Sequence, residues 1–233
     1  QNLPIRATVL TERYVPGQVL IPHNGHMSPD YWQKASRSLA RGDRVMAALV
    51  KRYRNTSLVT RGDAFGTLAR SIVGQQISVK AADAVWGRFV AVVGQVPPAS
   101  VLCVGPEGLA GCGLSARKIE YVVDLARHFA QGLLDPRSWA GMDDESVIAV
   151  LTDVRGIGRW TAEMFLIFNL MRPDVFPLDD LGLQKAVFLH YFDSEKQPRR
   201  VLAEIGERWR PWRAYAVNGR GIRHSIHYQL NSC

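Results

Sequence analysis

Gly156-Ile157-Gly158-Arg159-Trp160-Thr161-Ala162-Glu163, followed further on by Phe176-Pro177-Leu178-Asp179-Asp180, is the stretch on which the fold turns. A Gly-Ile-Gly turn opening an apolar helix is a device for holding an anion. Glycine permits positive φ and close approach of a ligand to the backbone. The helix start adds unpaired N–H groups at a positive dipole end. Leu151 and Val154 before the turn, with Ala162 and Phe165 after it, would pack the two flanking helices together. The ordinary reading of such a turn is a C-cap glycine at a close helix crossing. Its position between two amphipathic helices in a basic chain favours a hairpin that grips a nucleic-acid backbone.

The charge is consistent with that. The chain has 233 residues and a formal net charge of +8, and arginine outnumbers lysine, which suits bidentate phosphate contacts. Apolar residues make up 47% and charged residues 21%, ordinary for a globular protein with a substantial core. No apolar run approaches the roughly 18 residues a membrane span needs, and no signal peptide is visible. Cys103, Cys112 and Cys233 are too few and too scattered for a disulfide framework or a four-ligand iron–sulfur cluster. A reduced bacterial cytoplasm is the expected compartment, with no membrane partner.

Outside the hairpin, helical spacing dominates. Residues 1–27 carry Pro4, Pro16, Pro22, Gly17 and Gly25 without a period and read as an extended leader. Ser28-Pro29-Asp30 looks like a cap with proline at the first helical position. Asp43, Asp63, Ser78, Ser115 and Asp143 each precede an apolar-periodic segment as N-caps. The hairpin spans about 143–171, a helix follows Asp180, and another runs from about Pro198 to Trp209. About ten helices and no convincing strand alternation predict an all-α fold. The turns around Leu109–Leu114 and Leu151–Gly158 share a form.

Asp179 and Asp180 precede a helix, where an aspartate is most often an N-cap. One is expected to cap; the other would then face the mouth beside the hairpin. The residues alone leave both assignments open.

From about Tyr31 to Val217 the chain resembles the helix-hairpin-helix DNA glycosylases, and within them the 3-methyladenine DNA glycosylase II family of alkylation repair. The matching pieces are Arg70-Ser71-Ile72-Val73-Gly74-Gln75-Gln76-Ile77-Ser78, Gly113-Leu114-Ser115 with Arg117-Lys118, the hairpin, and Pro211-Trp212-Arg213. The resemblance implies a two-lobed helical domain over 28–217 with its active-site cleft between the lobes. It makes Asp180 the catalytic carboxylate and Trp160, Met164 and Phe65 the base pocket. Trp160 stands where bifunctional relatives carry a Schiff-base lysine, so cleavage of the N-glycosidic bond without strand cutting is implied.

By the same resemblance the DNA-binding set is Gly156, Ile157, Gly158, Arg159, Thr161, Gln75, Gln76, Ile77, Ser78, Ser115 and Lys118. Gln76 and Ile77 are the wedge that fills the space of a flipped nucleotide. No catalytic cofactor is required; a structural Na+ or K+ is expected on the backbone carbonyls of Thr152, Val154 and Ile157. Double-stranded DNA with damaged bases is the expected partner of a monomer. Two other readings fit part of the pattern: a non-catalytic helix-hairpin-helix DNA-binding protein, and a glycosylase of the same fold for other base lesions.

The tail departs from the family. After Val217 the family calls for Trp-x-x-Trp, whereas residues 218–233 are polar and glycine-bearing, with Gly221 in the slot of the second tryptophan. A frameshifted version of the family's ending is the expectation for 218–233.

Overall fold

The computed structural model describes residues 29–53, 58, 60 and 62–217. The leader 1–27, the tail 218–233 and the expected cap Ser28 therefore lie outside the described residues. Among those described, every regular element is helical.

Helix α1 (Trp32–Gly42) begins a few residues after Pro29, whose carbonyl accepts the Trp32 N–H at 2.8 Å in a preceding turn. Trp32, Ala35 and Leu39 form its buried stripe. Asp43 separates it from α2 (Arg44–Arg52) and caps α2 by accepting from the Val45 and Met46 amides at 2.9 and 3.1 Å. The other expected caps also form. Asp63 accepts from Gly66 N at the start of α3 (Ala64–Gly74), and Ser78 from Ala81 N at the start of α4 (Val79–Val93). Ser115 accepts from Lys118 N in α6 (Ala116–Ala130), and Asp143 from Ser146 N in α7 (Asp144–Thr152). Such a cap is worth about 1 kcal/mol, so these residues fix where the helices start.

Two helices escaped the periodicity reading. Between α4 and α6 lies α5 (Pro98–Leu109), two helical pieces joined across a kink at Gly105, which has φ 67° and precedes Pro106. Glycine and proline at those positions break the 3.6-residue repeat that reveals a helix. At the other end α11 (Arg213–Val217) is too short to show a period.

Helices α3 to α6 pack on one another in sequence, α7 packs on α8 (Arg159–Phe168), and α3 lies against both α6 and α8. They make one lobe. Through its middle runs a chain of edge-on rings, Phe65–Phe129–Trp139–Phe165, with centroids 5.3, 6.3 and 5.3 Å apart. Edge-to-face pairs of this kind add about 0.5–1.5 kcal/mol each beyond their burial. In the second lobe α1 packs on α2 and α11, and the ends of α9 (Leu181–Tyr191) and α10 (Arg199–Arg208) meet where the Tyr191 and Trp209 rings lie 6.0 Å apart. It is tied at Asp43, whose carboxylate accepts from the Tyr191 hydroxyl at 2.8 Å and pairs with Arg208. Asn169 and Arg172 tie the end of α8 back to the approaches of α3 and α7. The Asn169 amide donates to Gly62 O, and Arg172 donates to the carbonyls of Trp139 and Met142.

No single helix among the described residues is long and apolar enough to cross a membrane.

Candidate active site

The hairpin is α7, the turn 153–158 and α8. Gly156 takes φ 83°, and the Tyr121 ring lies where a Cβ would stand, so the position accepts glycine only. Gly158 is different. It is the extended N-cap of α8 at φ −92°, and a Cβ there would meet nothing within 4 Å. Of the two freedoms glycine offers here, positive φ is used at Gly156 alone. What Gly158 provides is an open approach and no side chain to satisfy the helix start.

The two turns of shared form make this clear. Gly113 has φ 80°, buried Leu114 follows, and the Ser115 hydroxyl then caps α6. Gly156 has φ 83°, buried Ile157 follows, and Gly158 caps α8 with no side-chain bond. The first intrahelical bond of α8 runs from Ala162 N to Gly158 O. The N–H groups of Arg159, Trp160 and Thr161 thus stand at the helix start without intrahelical partners, at the positive end of the dipole.

Twenty positions on, the catalytic candidate meets this helix. Asp180 is 3% exposed and caps α9: Oδ1 accepts from Leu183 N at 2.7 Å. Its Oδ2 accepts from the Trp160 indole N–H at 2.9 Å. Asp179, by contrast, is exposed and forms an ion pair with Arg199. The expected division, one aspartate capping and the other facing the cleft, is corrected here. A single carboxylate has two oxygens with separate partners, so Asp180 both caps and turns towards the hairpin. Trp160 is 44% exposed, hence not a core tryptophan, and Met164 follows on the same face of α8, half-buried.

The loop between α3 and α4 lies beside the hairpin. Gln75 donates from Nε2 to the Gly156 carbonyl at 2.7 Å. Gln76 is exposed in the left-handed region at φ 57°, and Ile77 is an exposed large apolar residue. A non-glycine residue at positive φ is uncommon and carries a conformational cost that the surrounding contacts must sustain. Ser78 ends the loop as the cap of α4.

Several expected site residues are placed elsewhere. Phe65 is sealed in the core at the head of the ring chain and presents no wall to the cleft. Arg159 is no free phosphate ligand: it binds Glu145 through two N–H groups at 2.5 and 2.8 Å and Glu163 through Nε at 3.1 Å. That clamp holds α7 to α8 and raises the guanidinium pKa further. Lys118 points inward, donating to the carbonyls of Val73 and Gln75, both at 2.8 Å, and its burial lowers its pKa. The side chains of Ile157 and Thr161 are buried, and the Ile157 amide already donates to Val154 O at 3.1 Å. Thr161 can therefore contribute only its backbone N–H.

Three supporting residues have no counterpart in the expected set. Tyr121 backs Gly156, Asp124 accepts from the Arg155 N–H at 2.9 Å, and buried Glu163 braces Arg159. Burial pushes the Glu163 carboxyl above its usual range, against the opposing pull of Arg159. Lys118, Tyr121 and Asp124 recur at three-residue spacing on α6, a polar stripe that could have been read as one face.

Residues 69–211 match the family described as the HhH-GPD superfamily of base excision DNA repair proteins. The chain is 37% identical to DNA-3-methyladenine glycosylase 1 of Schizosaccharomyces pombe over 62% of its own length and 66% of that protein's. The crystal structure of DNA-3-methyladenine glycosidase from Bacillus halodurans superposes with a TM-score of 0.71 at 32% identity, covering 88% of this chain and all of that one (100%). The S. pombe 3-methyladenine DNA glycosylase bound to abasic DNA gives a TM-score of 0.67 at 34% identity, over 78% and 92% of the two chains. The chain spans between 52% and 66% of the length of the first curated relatives it matches.

Proposed function

The chain belongs to the HhH-GPD superfamily of base excision DNA repair proteins, and from that premise we propose a monofunctional DNA glycosylase that hydrolyses the N-glycosidic bond of alkylated bases in duplex DNA. The observation that carries the proposal is the 2.9 Å bond between Trp160 and Asp180. It sets an acid and an electron-rich ring side by side, next to a helix start open to phosphate.

The chemistry follows from what an alkylated purine needs. Its base is already cationic and leaves without protonation, so the protein must extrude the nucleotide, hold it, and stabilise a sugar turning into an oxocarbenium ion. Extrusion costs a few kcal/mol, least for a damaged base. The backbone N–H groups of Arg159, Trp160 and Thr161 bind a phosphate beside the flipped residue. Gln76 and Ile77 fill the vacated stack. The Trp160 indole offers its π-face to the cationic base. Asp180 faces the charge developing at C1′. At ~4 Å and an effective dielectric near 20 this is worth roughly 4 kcal/mol, about a thousandfold in rate. The same carboxylate can orient the attacking water. No amine stands at position 160 to capture C1′, so the strand stays intact.

We also read the hairpin turn as a seat for Na+ or K+ on the carbonyls of Thr152, Val154 and Ile157. Carbonyl oxygens suit such hard ions, and the Val154 oxygen, which accepts the Ile157 N–H, keeps a second lone pair. A bound cation would add positive charge beside the phosphate.

The test is release of free base from duplex DNA carrying 3-methyladenine or 7-methylguanine, followed by chromatography of the bases and gel analysis of the strand. Free methylated base with an intact strand is expected. No release, or strand cutting coupled to release without alkali, overturns the proposal.

A further inference from the structure

Three residues of α6 each hold a different piece of the cleft. The Lys118 ammonium binds the Val73 and Gln75 carbonyls, both at 2.8 Å, at the base of the 75–78 loop. One turn on, Tyr121 fills the space under Gly156. Another turn on, the Asp124 carboxylate accepts from the Arg155 N–H at 2.9 Å. The loop and the hairpin are thus pinned to one rigid helix, and the Gln75 amide closes the circuit by donating to the Gly156 carbonyl at 2.7 Å.

This circuit spends polar groups that a DNA-gripping surface would otherwise expose. Lys118 donates inward, and Gln75, beside exposed Gln76 and Ile77, is turned onto protein backbone. Gln76 sits at φ 57° immediately after the pinned residue, so its unusual backbone depends on where Gln75 is held. A loop that must push into a base stack needs a fixed base to push from. That base is the helix that also carries the hairpin.

We propose that Gln75 and Lys118 are positioning residues that lock the base-extruding loop to the phosphate-gripping turn, so that engaging the backbone and displacing the nucleotide occur as one event. The inference rests on the glycosylase reading given above for the substrate, but not for the mechanical link itself. A wedge held loosely leaves hairpin affinity in place and loses force against a paired, stacked base. A base already unpaired needs little force.

The experiment uses the whole chain with Gln75→Ala, Gln75→Glu, Lys118→Met and Lys118→Arg. One arm places 2-aminopurine next to a stable abasic analogue in a duplex and follows its fluorescence as the protein binds, with anisotropy giving the affinity. The second arm compares single-turnover excision of a methylated base in a full duplex with the same lesion in an unpaired bulge. Melting temperatures are measured alongside.

Affinity for undamaged duplex should stay within about threefold of the parent, because the phosphate contacts are intact. The fluorescence rise should fall by about half or more in Gln75→Ala, Gln75→Glu and Lys118→Met, while Lys118→Arg, which can still reach two carbonyls, retains most of it. Excision from the full duplex should drop about tenfold, the scale of one lost hydrogen bond acting on extrusion, and only about twofold from the bulge. Equal losses on both substrates, an unchanged fluorescence rise in the variants, or no rise with the parent would each overturn the link. If the parent releases no methylated base but the fluorescence arm behaves as expected, the glycosylase reading fails and the coupling stands.

Discussion

The indole N–H of Trp160 and Oδ2 of Asp180 meet at 2.9 Å where the hairpin lobe touches the start of α9, while Oδ1 of the same aspartate caps that helix. One buried carboxylate is therefore fixed from two directions before any substrate arrives. Preorganised charge of this kind acts on a transition state without reorganisation at the moment of reaction.

Asp180→Asn should reduce base excision about a thousandfold or more, with DNA binding unchanged or tighter, since a negative charge near phosphate is lost. An asparagine has one oxygen for the two bonds that Asp180 accepts, so stability should also fall by about 1 kcal/mol. Single-turnover excision and urea unfolding measure both. Excision equal to the parent's would remove Asp180 from the chemistry.

Asp179→Asn breaks only an exposed ion pair with Arg199. Such pairs contribute about 0–1 kcal/mol, so excision should stay within about threefold and the melting temperature nearly level. A loss matching that of Asp180→Asn would reassign the catalytic carboxylate.

The two hairpin glycines should separate cleanly. Gly156→Ala forces a side chain into positive φ and into the Tyr121 ring, and should destabilise the fold by about 2 kcal/mol or more. Gly158→Val meets open space and should leave the melting temperature near the parent's. It should weaken binding to every duplex alike, with the salt slope reduced by about one phosphate. Unchanged affinity in Gly158→Val would make the hairpin a structural element only.

Trp160→Phe keeps an aromatic wall and removes the donor to Asp180. A loss of excision by about tenfold is expected, on the scale of one hydrogen bond to a charged group. It should appear in the single-turnover rate more than in affinity for the alkylated duplex. If only affinity changes, the indole serves stacking alone.

Glu163 supplies the pH test. Burial raises its carboxyl pKa above the ordinary value of 4.5. A raised carboxyl contributes stability below the unfolded-state value and loses it as pH rises through the folded one, because the native state holds the proton longer. Glu163→Gln cannot titrate, so its melting temperature should gain on the parent's as pH climbs from about 4 towards neutrality. Parallel melting curves across that range would show that Arg159 fully offsets the burial.

Much of this was open to reading along the chain. Each of the caps Asp43, Asp63, Ser78, Ser115 and Asp143 is a local event: a side-chain oxygen two or three residues from the amide it serves. The Gly156 turn is local for the same reason, since positive φ is a property of one residue. Helix α5 was hidden because Gly105 and Pro106 interrupt its repeat at the kink between its two pieces.

Tertiary contact decided what the sequence left open. Phe65, Arg159 and Lys118 are residue types that serve a binding surface well, and composition cannot tell a surface from a strut. Phe129, Glu145 and the Val73 and Gln75 carbonyls claim them, across 64, 14, 45 and 43 positions of chain respectively. Asp179 and Asp180 are chemically identical neighbours. Burial and the Trp160 indole, 20 positions away, separate them. The sequence by itself determined an all-helical chain, its helix starts and a hairpin suited to phosphate, because propensity, capping and glycine conformation act within a turn of helix. Which carboxylate faces the hairpin, and which cations are taken up in holding the 75–78 loop and the hairpin, only the folded packing decided, because charge and burial depend on neighbours distant in the chain.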